Sequence, residues 1–293
     1  MSVKMIKTTA SVVMTVRNVS ATIIDCLRAI LNQTFQDFEI IIIDDFSEDC
    51  TNAEIKKLND ARIRYFRNEN WLGISPSRNR GIKKALGENV FFTDGDCHVS
   101  KNWIEVGLKS LNKSNCVGVE GRIYYVSDDY KPTFSDHVME NKYGGHFMTG
   151  NMAYKKAVIE KVGGFDEKLT YLEDRDIAFR IMKYGKICFN PEMVVYHPQV
   201  KMTPKMLVES ASNIKNKVHL YKKLRRKELL LWRIVYPLNL IRLLCPPLIF
   251  SSLISKRFKT SEDFRLLPFI YIFLLFQRLH LWKESAKERV FLI

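Results

Sequence analysis

The amino-acid sequence predicts an α/β fold, a doubly wound sheet with right-handed crossovers, over its first 200 residues. Two observations lead there. Continuous apolar runs of strand length alternate with segments whose apolar residues recur at helical spacing. Two of those runs end in acidic residues, at the place where open α/β sheets bind their ligands. The composition agrees: 46% hydrophobic and 27% charged residues, with 13 Gly and 9 Pro, exclude a collagenous, low-complexity or wholly disordered chain. At 293 residues the chain is one large domain with an appendage, or two domains.

The first run, Ala10 to Val16, reads as a buried strand, and Asn18 and Ser20 then open a helix carrying Ile23, Ile24, Leu27, Ile30 and Leu31. A second run, Phe38 to Ile43, stops at Asp44 and Asp45. Helix Asn52 to Leu58, strand Arg62 to Phe66, helix Ser75 to Leu86 and strand Asn89 to Thr93 continue the alternation, and Asp94 and Asp96 follow the last strand. Beyond these, Trp103 to Leu111 reads as a helix, Val117 to Val126 as a strand and Ser127 to Gly145 as a polar loop. Helix Lys155 to Val162 stops at Gly163 and Gly164, and helix Glu173 to Tyr184 is expected to stop at a left-handed Gly185. After strand Met193 to Tyr196 come a basic helix, Lys205 to Lys227, and apolar segments Leu229 to Leu244, Pro246 to Ile254 and Leu266 to Phe276.

The formal net charge of +14 is not evenly spread. Residues 1 to 200 carry 27 Lys and Arg against 26 Asp and Glu, whereas residues 201 to 293 carry 19 against 6. The predicted division is therefore an α/β domain, 1–200, and a basic, apolar helical region, 201–293. In that region Arg233, Arg242, Pro246 and Pro247 interrupt the apolar stretches, and Leu266 to Gln277 gives only 12 uncharged residues, short of the ~20 that a spanning helix needs. Basic, aromatic-rich segments lying in a membrane interface fit better. Helices packed onto the α/β domain are the alternative, and they leave the charge unexplained.

Six cysteines without a CxxC pair encode neither a zinc finger nor a disulfide framework, which suits a reduced cytosolic setting. The apolar run near the N-terminus is too short for the core of a secretory signal. The expected location is the cytoplasmic face of a membrane, peripheral or monotopic.

Asp94-Gly-Asp96 offers two carboxylates separated by a residue that lets the backbone turn near a ligand, and Mg or Mn accept such oxygens while bridging to a diphosphate. On its own, the same triplet reads first as an acidic turn capping the next helix. Its surroundings add more. SVVMTVRN, LNQTFQDFEIIIIDDFSED, NWLGISPSRNRGIKKALGENV and FFTDGD, in that order from Ser11, resemble the nucleotide-binding half of family 2 glycosyltransferases. GNMAYKKAVIEKVGGFDE, LEDRDIAFRIMKYG and VVYHP resemble that family's acceptor half, so the likeness covers about residues 10 to 200.

The resemblance implies a GT-A type fold with a mixed, mostly parallel sheet, and a nucleotide-sugar donor with a Mn or Mg cation. By position, Asp45 and Thr15 match residues at the nucleotide, Arg78 matches a basic residue beside it, and Asp94 and Asp96 match the acids that contact ribose and hold the metal. His197 matches the family's C-terminal metal-binding histidine, with His98 as its competitor. Asp174 of Glu173-Asp174 matches the general base for inverting transfer, though acids in a first turn also simply favour the helix dipole. Asp44 is either a direct contact or a group satisfied by nearby amides, Arg80 a solvated helix residue, and Gly150-Asn151 either a small-residue turn facing the donor sugar or the start of a strand. The sequence departs from the family pattern at Thr15-Val16-Arg17-Asn18, at Phe46, where Gly is usual, and at Cys97, where an acid often follows.

The reading that results is a metal-dependent, inverting transferase acting on a lipid-linked glycan acceptor. Its rivals are a noncatalytic membrane-interaction protein with a degenerate transferase domain, and a nucleic-acid binder using the basic tail. The tail's apolar blocks argue against nucleic acid as a partner, and the presence of every candidate acid argues against degeneracy.

Overall fold

A computed structural model describes residues 8–127, 129–224, 237–245, 258–290 and 292. The chain divides into two compact units, residues 1–128 with 139–198, and residues 129–138 with 199–293.

In the first unit, strands β1 (Ala10–Val16), β2 (Phe38–Asp44), β3 (Ile63–Arg67) and β4 (Asn89–Phe92) are separated by helices α1 (Ile23–Leu31), α2 (Thr51–Lys56) and α3 (Ile74–Lys84). There follow β5 (His98–Val99), α4 (Trp103–Leu111), β6 (Cys116–Tyr125), β7 (Met152–Lys155), α5 (Lys156–Lys161), α6 (Glu173–Ile181) and β8 (Lys186–His197). The eight strands form one sheet in the order β3-β2-β1-β4-β7-β6-β8-β5. The β3-β2-β1-β4 half is parallel, β7 runs antiparallel between β4 and β6, and β6 pairs parallel with β8. The sheet is thus mixed and mostly parallel, of the GT-A type.

Alternation along the central strands explains why both faces must be covered. Val12, Met14, Ile40, Ile42 and Phe91 pack with Leu27, Ile30, Trp103 and Ile104 on one face. Val13, Ile41, Ile43, Val90 and Phe92 pack with Ile82, Ile159, Phe165 and Ile177 on the other. Uninterrupted apolar runs are the sequence signature of strands buried on both sides.

The remaining differences from expectation are local. Gly185 lies beyond the end of α6 and has no positive φ. Its small size matters instead, because a Cβ there would meet Val117 Cγ1 at 2.6 Å. Gly163 and Gly164 do stop the preceding helix in the left-handed region, with φ of 80° and 72°. Strand β8 extends well upstream of Met193 through Pro191, a residue that masks strand character in the sequence, and its pairing with β6 shifts register at Gly121/Arg122. The very short β5 and β7 carry no period of their own.

In the second unit, α7 (Pro204–Ser210) and α8 (Ile214–Leu224) are separated by a 3-10 turn at Ala211–Asn213, so the expected single basic helix is broken. Helices α9 (Pro237–Leu244), α10 (Ser261–Arg265) and α11 (Leu267–Lys287) follow. Residues 129–138 join this unit rather than forming a loop of the first: Phe134 stacks on Phe258 at 4.3 Å, and Ser135 N donates to Asp263 Oδ1 at 2.7 Å. Asp263 also closes a capping box with Thr260. No helix among the described residues is long and apolar enough to cross a membrane. The expectations placed on residues 225–236 and 246–257, including those on Arg233, Pro246 and Pro247, lie outside the described residues.

Candidate functional site

The carboxyl ends of β1, β2 and β4 gather the acids. At the end of β2 the two aspartates point to different tasks. Asp44 is fully buried and accepts from Ser47 N at 2.7 Å and the Tyr65 hydroxyl at 2.5 Å, so its carboxylate is consumed within the fold. Asp45 lines a cleft of about 390 Å³ together with Thr15, Arg17, Trp71 and Gly73. It accepts from Asn68 Nδ2 at 2.7 Å, Leu72 N at 2.9 Å and Gly73 N at 2.8 Å. An ionised carboxylate offers about four acceptor positions, so room for a further donor remains. Gly73 reaches this arrangement with a φ of 94°, and its own position is open enough for a ligand. Trp71 is 65% exposed and carries the Arg17 guanidinium 5.0 Å from its ring, forming an aromatic and cationic wall.

Phe46 adopts a φ of 67°, a left-handed conformation that explains why glycine suits this position. The Arg67 guanidinium lies 5.4 Å above its ring. Arg80 corrects the expectation of a solvated residue: its Nη1 donates to Arg67 O at 2.8 Å and to Asn68 Oδ1 at 2.5 Å, fixing the asparagine that contacts Asp45.

Asp94 and Asp96 follow β4 on a turn where Gly95 is required by close approach, since a Cβ would come 2.8 Å from Val16 Cγ1. Gly150 sits in a 3-10 turn, Thr149–Asn151, whose backbone approaches Asp94; an added Cβ would lie 3.0 Å from Asp94 Oδ2. Asn151 is fully buried and its amide is used within the fold, accepting from Trp103 Nε1 and donating to Arg122 O and Met193 O, each at 2.8 Å.

Arg78 connects this turn to α6. Only 5% exposed, it donates to Glu173 Oε1 at 2.7 Å while its Nη2 lies 3.7 Å from Asp94 Oδ1. The Asp94 side chain keeps 30% of its surface open. Even so, the protein around it pushes its carboxyl above the usual range, mainly through burial, with Arg78 opposing and the Asp96 charge adding to the effect.

Helix α6 begins after Leu172, which is held at a φ of 66°, the sort of strain that concentrates at functional sites. Asp174 accepts from Arg175 N at 2.7 Å. Burial first, and then the Glu173 charge, push its carboxyl up to about 7, against the pull of Arg175 N–H, Arg78 and Arg175. A carboxyl poised there can exchange a proton near neutral pH.

One group among the described residues has metal-ligand geometry: Asp96, Cys97 and His197 each offer a donor atom, all within 4.8 Å of one another. His197 Nδ1 is 2.9 Å from Pro198 O. As a donor to that carbonyl, Nδ1 carries the proton and leaves the Nε2 lone pair free for a cation. The Tyr125 ring stacks against the imidazole with 6.3 Å between centroids. These residues fit a divalent cation. Asp94 is not in the group and faces Arg78 instead. His98 is exposed in β5, paired with Tyr196, and is also outside it.

The structure therefore collects Thr15 and Asp45 in the cleft, Asp94 with Arg78, and Asp96 with His197. The Glu173 bridge, the Trp71 wall and Cys97 were not assigned such roles from sequence. Cys97 was visible as a departure in the acidic pattern, and Glu173 as the partner of Asp174; Trp71 lay within the matching segment NWLGISPSRNRGIKKALGENV without a role of its own.

Comparison with known proteins agrees with this fold. The family model "Glycosyl transferase family 2" matches residues 11–165. Glycosyltransferase GlyG of Streptococcus pneumoniae is 30% identical over 155 residues, covering 52% of this chain and 50% of GlyG, so the likeness spans about half of that relative. The Escherichia coli UDP-Glc:alpha-D-GlcNAc-diphosphoundecaprenol beta-1,3-glucosyltransferase WfaP is 28% identical over 173 residues, covering 57% of this chain and 67% of WfaP. Among solved structures, the mannosyltransferase PcManGT of Pyrobaculum calidifontis, in complex with GDP-Man and Mn2+, superposes with a TM-score of 0.60 at 16% identity, over 94% of this chain and 73% of that one. With over half of its length matched by the family model, and with the sheet order and acidic strand ends described above, the chain belongs to glycosyl transferase family 2.

Proposed function

We propose that the protein is an inverting glycosyltransferase that moves a sugar from a nucleoside-diphosphate donor to a hydroxyl of a lipid-linked glycan, at the cytoplasmic surface of a membrane. The observation that carries this reading is the buried Glu173–Arg78–Asp94 chain, which joins the acidic turn to the start of α6, where burial and the Glu173 charge push the Asp174 carboxyl up.

In the proposed reaction Thr15 and Asp45 bind the nucleoside portion in the cleft, and Arg78 and Asp94 orient the groups that follow it. Asp96 and His197 would hold a Mn or Mg cation, which supplies positive charge to the departing diphosphate when bound. Asp174 takes the proton of the acceptor hydroxyl as its oxygen bonds to the anomeric carbon. The carbon–phosphate-oxygen bond breaks on the opposite side, its electron pair leaves with the diphosphate, and the anomeric configuration inverts.

The acceptor class is supported by WfaP, whose name specifies a diphosphoundecaprenol-linked sugar. It is supported also by the second unit, where α11 leaves Tyr271, Leu275, Phe276, Leu279 and Trp282 between 40% and 48% exposed on a chain whose last 93 residues are strongly basic. Apolar side chains beside positive charge are what an anionic lipid surface attracts. The test is a screen of nucleotide sugars with Mn or Mg, reading released nucleoside diphosphate with and without polyprenyl-diphosphate sugars as acceptors. Release of nucleoside diphosphate dependent on such an acceptor supports the reading; no release from any donor sinks it.

A further inference from the structure

The residue after the acidic turn is a thiol in a place where the family pattern often has a carboxylate, and it is not idle. Cys97 is 1% exposed, and its Sγ lies 3.6 Å from Asp96 Oδ1, to which it donates. The same sulfur is within 4.8 Å of the donor atom of His197. The imidazole, itself 8% exposed, is oriented by Pro198 O and by the Tyr125 ring, with Nε2 left to accept a cation. The other thiol nearby, Cys26, is turned to the Asp94 carbonyl at 3.3 Å and does not belong to the group.

Carboxylate oxygen, imidazole nitrogen and sulfur bind zinc at about 2.0 to 2.3 Å, which sets the donors of a tetrahedral centre roughly 3.5 Å apart. The Asp96–Cys97 separation is already of that size. Hard cations such as Mg gain little from sulfur, whereas borderline ones such as Zn and Co gain much.

We propose that Cys97 is a third protein donor to the cation held by Asp96 and His197, and that it turns the preference of this site from magnesium toward zinc and cobalt. The proposal rests on the reading that Asp96 and His197 hold a cation. When the sulfur–metal bond forms, the thiol proton leaves to solvent and the Asp96 oxygen that accepted it is released to the ion.

The test uses the intact chain, titrated with Co2+, Zn2+ and Mg2+ alone, without donor or acceptor. The cobalt-loaded wild type should show a thiolate-to-cobalt charge-transfer band in the near ultraviolet. Cys97→Ser should lose that band and at least tenfold of the zinc-over-magnesium preference. Cys97→Asp should lose the band while keeping magnesium binding, and Cys26→Ser should keep the band. Circular dichroism and the thermal midpoint of each variant show that it is folded, and Cys97→Asp provides a second route should the serine variant unfold. Cobalt binding that needs Asp96 but shows no thiolate band, or a band and selectivity unchanged in Cys97→Ser, overturns the proposal while sparing the reading beneath it. Cation binding that Asp96→Ala leaves intact overturns both.

Discussion

The Arg78 guanidinium is buried between Glu173, 2.7 Å away, and Asp94, 3.7 Å away, so one side chain from α3 ties the turn after β4 to the start of α6. Two regions nearly 80 residues apart in sequence are thereby held in one electrostatic unit. Its consequences can be measured.

Glu173→Ala leaves a buried arginine without its nearest counter-charge. Breaking a buried pair in this way typically costs about 3 to 5 kcal/mol, and chemical denaturation should report a loss of that order. The Glu173 charge also helps to raise the Asp174 carboxyl. A folded variant should therefore show the acidic limb of its pH–rate profile moved to lower pH. An unmoved limb with a large stability loss would make the bridge purely structural.

Asp174→Asn keeps size and helix position while removing the proton acceptor, so kcat should fall about 100-fold or more with donor affinity little changed. In the wild type, activity should rise with pH through about 7 as Asp174 loses its proton, and this limb should vanish in the variant. Stability has the opposite slope. Because the folded-state value lies above the ordinary carboxylate value, ionisation penalises the fold as pH rises from about 4 to about 7. Asp174→Asn should gain stability relative to wild type across that window, which thermal midpoints in a pH series would reveal.

Asp96→Ala removes a half-buried carboxylate that takes no part in the hydrophobic core. It should abolish metal-dependent donor binding and turnover while leaving the circular dichroism spectrum intact. Calorimetry of donor binding with and without Mn makes the comparison, and full wild-type activity in excess EDTA would contradict the metal role.

For the second unit, Tyr271, Leu275 and Trp282 changed together to Ala should weaken binding of the intact chain to anionic liposomes at every salt concentration. All three are at least 40% exposed in α11, so the change should leave its packed face undisturbed. Salt alone should weaken wild-type binding only in part, because apolar insertion is not screened. Tight duplex DNA binding at physiological salt without liposome binding would favour the nucleic-acid rival.

The strands that carry the site were legible because burial on both faces leaves a local record: β1 begins and ends where the apolar run does, and β2 runs one residue further, onto Asp44. The acids were legible because a carboxylate at the end of an apolar strand is conspicuous. Periodicity fails for β7, with only four residues, and for β8, where Pro191 and polar neighbours interrupt the pattern.

By itself the sequence determined the alternation of strands and helices from β1 to β4, the position of the acids at strand ends and the concentration of basic charge after residue 200. Tertiary structure decided which acid does which work. Asp44 and Asp45 are neighbours with the same side chain, yet one is consumed by Tyr65 and Ser47 while the other faces a cleft. It also decided that Arg78 meets Glu173, that His197 comes to Asp96 and Cys97, and that residues 129–138 leave the first unit for the second. The physical reason is range. Strand and helix propensity act over a few residues, whereas a carboxylate's proton affinity and a cation's donor set depend on groups that only folding brings within a few ångströms.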